Sequence, residues 1–312
     1  MMTHEIIFHH YPTSPFSEKV RIVFGMKGMA WRSVEIPNMM PKSDLMPLSG
    51  GYRKTPVMQI GADIYCDTQL ILREIERRVP EPAVMPNAGL SFALAFWTDR
   101  PFFQATVPLI FGEIGPMVPE AFVKDREKMF PERPFNHVQM KAAAPIMKDQ
   151  WRAHVGFLDA QLKDGRAFVS PSVGGGKPTV SDAHCYMNLW FLKSGLPQLA
   201  AALLAEFPRV EAWYARVKAL GHGRPTAMEA TEALRIAKEA TSDAKPAADP
   251  HDPNGRKPGD RVSVMPDDYG RDPVVGEIVF SNAHEIAIRR HDPAAGEVVV
   301  HFPRAGFWVM PA

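Results

Sequence analysis

Cysteine is scarce in this chain: Cys66 and Cys185 are the only two in 312 residues, far apart, with no C-x-x-C pair and no neighbouring His/Cys set. That supports neither a disulfide framework nor a zinc site, and both read as small buried apolar residues. Charge of one sign is also missing. The 36 Lys and Arg against 35 Asp and Glu leave a net charge of +1, so no global field draws in nucleic acid or an anionic membrane. No apolar run approaches the ~20 residues that cross a bilayer, and the N-terminus lacks a basic segment followed by an apolar run and a cleavage site. The expectation is a cytoplasmic protein without a metal, a nucleic-acid partner or a membrane partner. Repeats and heptads are absent. His9 and His10 are adjacent, and in a strand they point to opposite faces, so they do not chelate one metal together.

What is present is an ordinary globular composition, 46% hydrophobic and 23% charged, and a length that suits two or three domains. Over residues 1–82 the periodicity alternates between two and 3.6, the mark of an α/β unit. Strands are expected at Glu5 to His10 and Trp31 to Ile36, and a hairpin at Pro56 to Cys66. Helices are expected from Ser17 to Lys27, stopped by Gly28, and from Asp67 or Thr68 to Val79, ended by Pro80 and Pro82. Residues 88–240 read as helices alone, at Leu90 to Phe111, Val138 to Leu162, Ser181 to Leu192 and Val210 to Leu220. Gly115 to Pro134 reads as a long irregular connection, and Thr226 to Glu229 as a capping box opening a last helix.

Residues 241–257 lack apolar periodicity and carry several prolines, which predicts an extended, mobile linker. Residues 258–312 then show five short strands separated by turn residues, the pattern of a small SH3-like β-barrel. Five arginines against eight carboxylates leave that unit at −3, a poor nucleic-acid binder.

The chemistry concentrates at Tyr11-Pro12-Thr13-Ser14-Pro15-Phe16-Ser17, where a strand drops into a helix. Serine at the N-cap and proline at the first helical position fix the helix start. Free N–H groups and the positive end of the helix dipole then favour an anion such as a thiolate or carboxylate.

Strand, helix, strand, hairpin, helix and then an all-helical domain is the order of the cytosolic glutathione transferases, and four motifs strengthen the resemblance. Ser14-Pro15-Phe16-Ser17-x-Lys19-Val20-Arg21 resembles the first helix of serine-type members, tau-like and bacterial, in which the serine before Pro-Phe is catalytic. Pro41-Lys42-Ser43-Asp44-Leu45 is similar to the segment whose lysine reaches the glycine carboxylate of glutathione. Lys54-Thr55-Pro56-Val57 is similar to the segment whose cis proline follows a residue that pairs with the cysteinyl part. Asp67-Thr68 corresponds to the pair that holds the γ-glutamyl group. Further on, Pro178 to Ala183 resembles the capping box of the buried helix in the second domain, and Phe207 to Trp213 a segment near its end. The chain departs from the family at Ser49-Gly50, where Asn-Pro is common, and at Thr55, where valine is usual.

The resemblance implies a thioredoxin-like N-terminal domain, an all-α transferase domain, glutathione as substrate, and a twofold homodimer. Ser14 is then a hydrogen-bond donor to the sulfur, with Tyr11 as the rival hydroxyl. Lys42, Lys54, Thr55, Pro56, Asp67 and Thr68 would bind the tripeptide, and Phe16, Trp97, Arg100 and Phe103 would line the pocket of an apolar electrophile. The leading expectation is conjugation of the glutathione thiolate to that electrophile. One alternative is a non-catalytic glutathione-binding or scaffolding protein whose C-terminal β unit contacts a partner. Another is glutathione-dependent thiol–disulfide exchange, which serine at both positions of Ser14-x-x-Ser17 opposes, since only a thiolate forms a mixed disulfide.

Overall fold

The computed structural model describes residues 5–130, 132, 135–170 and 176–312. Its N-terminal unit runs β1 (Ile7–His10), α1 (Pro15–Met26), β2 (Ala30–Glu35), a short α2 (Met46–Ser49), β3 (Val57–Ile60), β4 (Asp63–Cys66) and α3 (Thr68–Arg78). β1 pairs with β2 in parallel and with β3 in antiparallel fashion, the thioredoxin-like arrangement expected from the sequence. Strand alternation feeds two cores. Ile7, Val57 and Ile64 face one side of the sheet, while Phe8, Met58 and Tyr65 face the other.

The helical unit follows with α4 (Ala88–Trp97), α5 (Phe103–Ile114), α6 (Glu120–Met129), α7 (His137–Gln161), α8 (Val180–Gly195), α9 (Pro197–Leu204) and α10 (Pro208–Lys218). Here three expectations are corrected. The single helix over 90–111 is interrupted by a π-helical turn, Thr98–Phe102, around Pro101, which has no N–H to give the ladder. Gly115 to Pro134 is not irregular throughout, because α6 forms between Pro119 and Phe130, free of internal proline and glycine; Pro134 itself lies outside the described residues. Thr226 caps nothing: it lies in β5 (Arg224–Ala227), paired in parallel with β2, and α11 (Ala230–Glu239) starts after Glu229. The Thr179–Asp182 capping box does open α8, and the Asp182 carboxylate accepts the Thr179 N–H at 2.9 Å.

The C-terminal strands are β6 (Arg261–Pro266), β7 (Val274–Ser281), β8 (Glu285–Asp292), β9 (Gly296–Pro303) and β10 (Phe307–Pro311). They are antiparallel neighbours in the order β10-β6-β7-β8-β9, and β9 pairs in parallel with β4, so ten strands form one sheet. Val298, Val300, Phe302 and Ile286 share a core with Ile7, Val34, Val57 and Ile64. Residues 241–257 run against this sheet: the Ser242 hydroxyl donates to Asp63 at 2.5 Å and the Ala247 N–H to the Val279 carbonyl at 3.1 Å. The departure at Ser49-Gly50 has its reason here. Gly50 sits in the left-handed region (φ 72°), and a Cβ there would lie 2.7 Å from Arg290 Nε and from Val274 Cγ1.

Candidate active site

Both units and the C-terminal strands enclose a cleft of about 1730 Å³, beyond the ~300–1,000 Å³ of a drug-sized pocket and roomy enough for a tripeptide beside a second molecule. Its first wall is the start of α1, where Tyr11, Pro12, Thr13, Pro15 and Phe16 reach the surface. Ser14 caps the helix, accepting the Ser17 N–H at 3.1 Å, and is only 1% exposed. Tyr11, the rival hydroxyl, faces the cleft, with its phenol against Ser14 and the Arg126 guanidinium. Burial pushes the Tyr11 pKa up, with the Arg126 charge pulling the other way, so the phenol keeps its proton at neutral pH.

The second wall is Lys54, the cis Thr55–Pro56 peptide, and the start of α3. Asp67 holds φ 74°, unusual for a residue with a side chain, and its carboxylate accepts the Gln69 N–H at 2.9 Å. Thr68 Oγ1 accepts from the fully buried Lys19 ammonium at 3.4 Å, and Lys19 pairs with Asp99 at 2.5 Å. Lys42 lines the cleft, but its ammonium donates to the Arg53 carbonyl at 2.8 Å and to Thr55 Oγ1 at 2.7 Å. Burial, reinforced by the Arg126 charge, draws the Lys42 pKa down to about 7.

The opposite wall is apolar. Phe16 packs edge-on against Phe103 at 4.9 Å, and Phe103 stacks with Phe191 at 6.1 Å. Arg100 lines this wall as well, aimed there by the π turn. Trp97 is not among the lining residues: its indole N–H donates to His154 Nδ1 at 3.0 Å, His154 itself lining the cleft, and its ring stacks on Phe102. Three lining residues have no signal in the sequence: Asp99, in the π-helical turn, and Asp125 and Arg126, on α6, within the stretch expected to be an irregular connection. Nor has the β6–β7 connection, Asp267 to Asp272, which closes one end of the cleft. Among the described residues no three His, Cys, Asp or Glu side chains are grouped to hold a metal, and no helix is long and apolar enough to cross a membrane.

A thioredoxin-like unit whose α1 and α3 starts face an aromatic wall of a helical unit defines a two-domain, thioredoxin-fold ligand-binding protein. Comparison with known proteins makes that specific. Residues 8–83 match the family model "Glutathione S-transferase, N-terminal domain" and residues 123–216 "Glutathione S-transferase, C-terminal domain". A GST-like protein from Pseudomonas syringae is 38% identical, with a TM-score of 0.80, over 99% of this chain and 100% of that chain. The chain belongs to the glutathione S-transferase family. A tau class enzyme from mango, Mangifera indica (18% identity, TM-score 0.52, 69% of this chain and 89% of that one), shares the fold. So does a rice protein solved in complex with glutathione (19%, 0.51, 69% and 87%). No curated protein matches.

Proposed function

We propose that the protein is a glutathione S-transferase that presents the glutathione thiolate to an apolar electrophile. The observation that carries this reading is the convergence of Tyr11, the cis Thr55–Pro56 step and the Asp67–Thr68 helix start on one side of a cleft whose other side is Phe16, Phe103 and Phe191. Glutathione lies along the first side with its γ-glutamyl end at the start of α3, where backbone N–H groups and the Thr68 hydroxyl receive a carboxylate. Its sulfur lies at the start of α1. A free thiol of pKa near 8.5 is only a few per cent ionised at neutral pH, and a depression of ~2 units, about 2.7 kcal/mol, leaves it mostly thiolate. The Tyr11 phenol, held by Ser14, supplies that stabilisation as a neutral donor together with the helix dipole. Neither hydroxyl acts as a nucleophile.

Thiol–disulfide exchange has less behind it. Both cysteines are fully buried, and burial pushes both thiols well above their ordinary pKa. Unpaired cysteines suit a reducing compartment, so we place the protein in the cytoplasm. A homodimer is part of the proposal, and the exposed Phe157, whose ring lies 6.0 Å from that of Trp97, offers it an apolar face. Light scattering of the purified protein tests it, and a monomer at micromolar concentration rejects it. The catalytic reading is tested by calorimetric titration with glutathione and by turnover of a chloronitroarene. Binding together with turnover above the uncatalysed rate supports it; absence of both overturns it.

A further inference from the structure

The β6–β7 connection is built into the cleft rather than laid over it. Asp268 pairs with the Lys54 ammonium, which also sits 3.9 Å from the centroid of the Tyr269 ring. Tyr269 stacks on Phe130 at 4.4 Å, and the Gly270 N–H donates to the Met129 carbonyl at 2.9 Å. On either side, Asp267 pairs with Arg100 at 2.6 Å, and Asp272 approaches Arg53 at 3.9 Å, a guanidinium already held by Asp125. One loop thus brings three carboxylates to three cations at the end of the cleft where Lys54 stands.

In the glutathione reading, on which this inference rests, Lys42 marks the glycine end by family resemblance, and its ammonium lies 2.7 Å from Thr55 Oγ1, next in the chain to Lys54, so we place the glycine carboxylate at this end. A ligand carboxylate approaching Lys54 meets Asp268 at a similar distance, so attraction to one is offset by repulsion from the other. We propose that Asp268 determines specificity by occupying the counter-ion position of Lys54 from within the chain, so that a thiol peptide with a neutral C-terminal end binds as well as one with a free carboxylate. Lys42 offers no replacement, since its ammonium is directed to Thr55 and the Arg53 carbonyl.

The test is calorimetric titration of the full-length protein at neutral pH with glutathione and with its glycine monoethyl ester. In the wild type the two Kd values agree within about twofold; in D268N, where Lys54 is freed, glutathione tightens about fivefold or more and the ester is unchanged. D267N, which releases Arg100 instead, keeps the wild-type ratio. A tenfold or greater wild-type preference for the free acid overturns the proposal, and this measurement stands even if a substituted chain fails to fold. So does an unchanged ratio in D268N, or an equal shift in D267N. Binding of neither compound by the wild type overturns the glutathione reading itself, and the inference with it.

Discussion

Tyr11 and Ser14 divide between them what a single hydroxyl does in simpler helix starts. Ser14 is committed to the Ser17 N–H and Tyr11 opens onto the cleft. In Y11F the pKa of bound thiol, read from the pH profile of kcat/KM, is expected to rise by about one unit, with roughly threefold lower activity at neutral pH. S14A is expected to cost about 1 kcal/mol of stability through the lost cap, with a smaller shift in the profile. A profile moved by S14A and not by Y11F would reassign the donor. His301, far from the cleft, is a second residue with a pH signature. Its Nε2 faces Asp63 at 3.0 Å and its Nδ1 faces Glu285 at 2.7 Å. Burial alone would lower its pKa, but the two carboxylates outweigh burial and hold it above 6.5. Its contribution to stability is therefore complete below about pH 6.5 and fades as pH rises through the elevated value. Asp63 works in the opposite direction: burial would raise its pKa, the bonds from His301 and Ser242 lower it, and its contribution fades in acid. H301Q leaves two carboxylates short of a partner, and urea unfolding is expected to show a loss of about 3 kcal/mol at pH 6, smaller at pH 9.

Among the elements, α8 depends on one carboxylate. Asp182 accepts N–H bonds from Thr179 at 2.9 Å, Val169 at 2.8 Å and the Trp213 indole at 2.8 Å, all buried. D182A strands three donors at about 1–3 kcal/mol each, so the helical unit should melt many degrees lower, whereas D182N, retaining an acceptor oxygen, should lose less. An unchanged melting temperature in D182A would refute this account. This box was legible in the sequence because its two residues are three apart and bond to each other. Strands β1 to β4, α1 and α3 were legible for the same local reasons: period, cap and stop lie within a dozen residues. α6 was not, because its prolines stand outside it at Pro119 and Pro131 and its charged face resembles a connection. β5 was hidden too. It is exposed at every residue and carries Pro225, and only its pairing with β2, nearly two hundred residues earlier, makes it a strand. The same distinction runs through the cleft. Tyr11, Thr55, Pro56, Asp67 and Thr68 belong to local motifs and line one cleft, whereas Asp268 and Arg126 arrive from distant segments with no motif of their own.

For the whole molecule, the sheet decides what the C-terminal region is. The strands of 258–312 were legible from their alternation, but their union with β4 was not, since no residue pattern names a parallel partner. Val298, Val300 and Phe302 are fully buried in a core shared with the N-terminal unit. Each such side chain contributes about 1.5–3 kcal/mol, and losing several approaches the 5–15 kcal/mol that holds a typical domain folded. Removing residues 257–312 should therefore abolish the cooperative thermal transition, checked by circular dichroism and solubility; a shortened chain that melts like the full one would show the strands to be an independent attachment. The β4–β9 joint also sets a schedule for biosynthesis. Asp63 leaves the ribosome long before Val299, its partner in the ladder, and at ~5–20 residues per second the nascent β4 edge waits roughly ten to fifty seconds for cover. During that interval it is an unpaired, apolar strand edge, the kind of template on which newly made chains associate with one another.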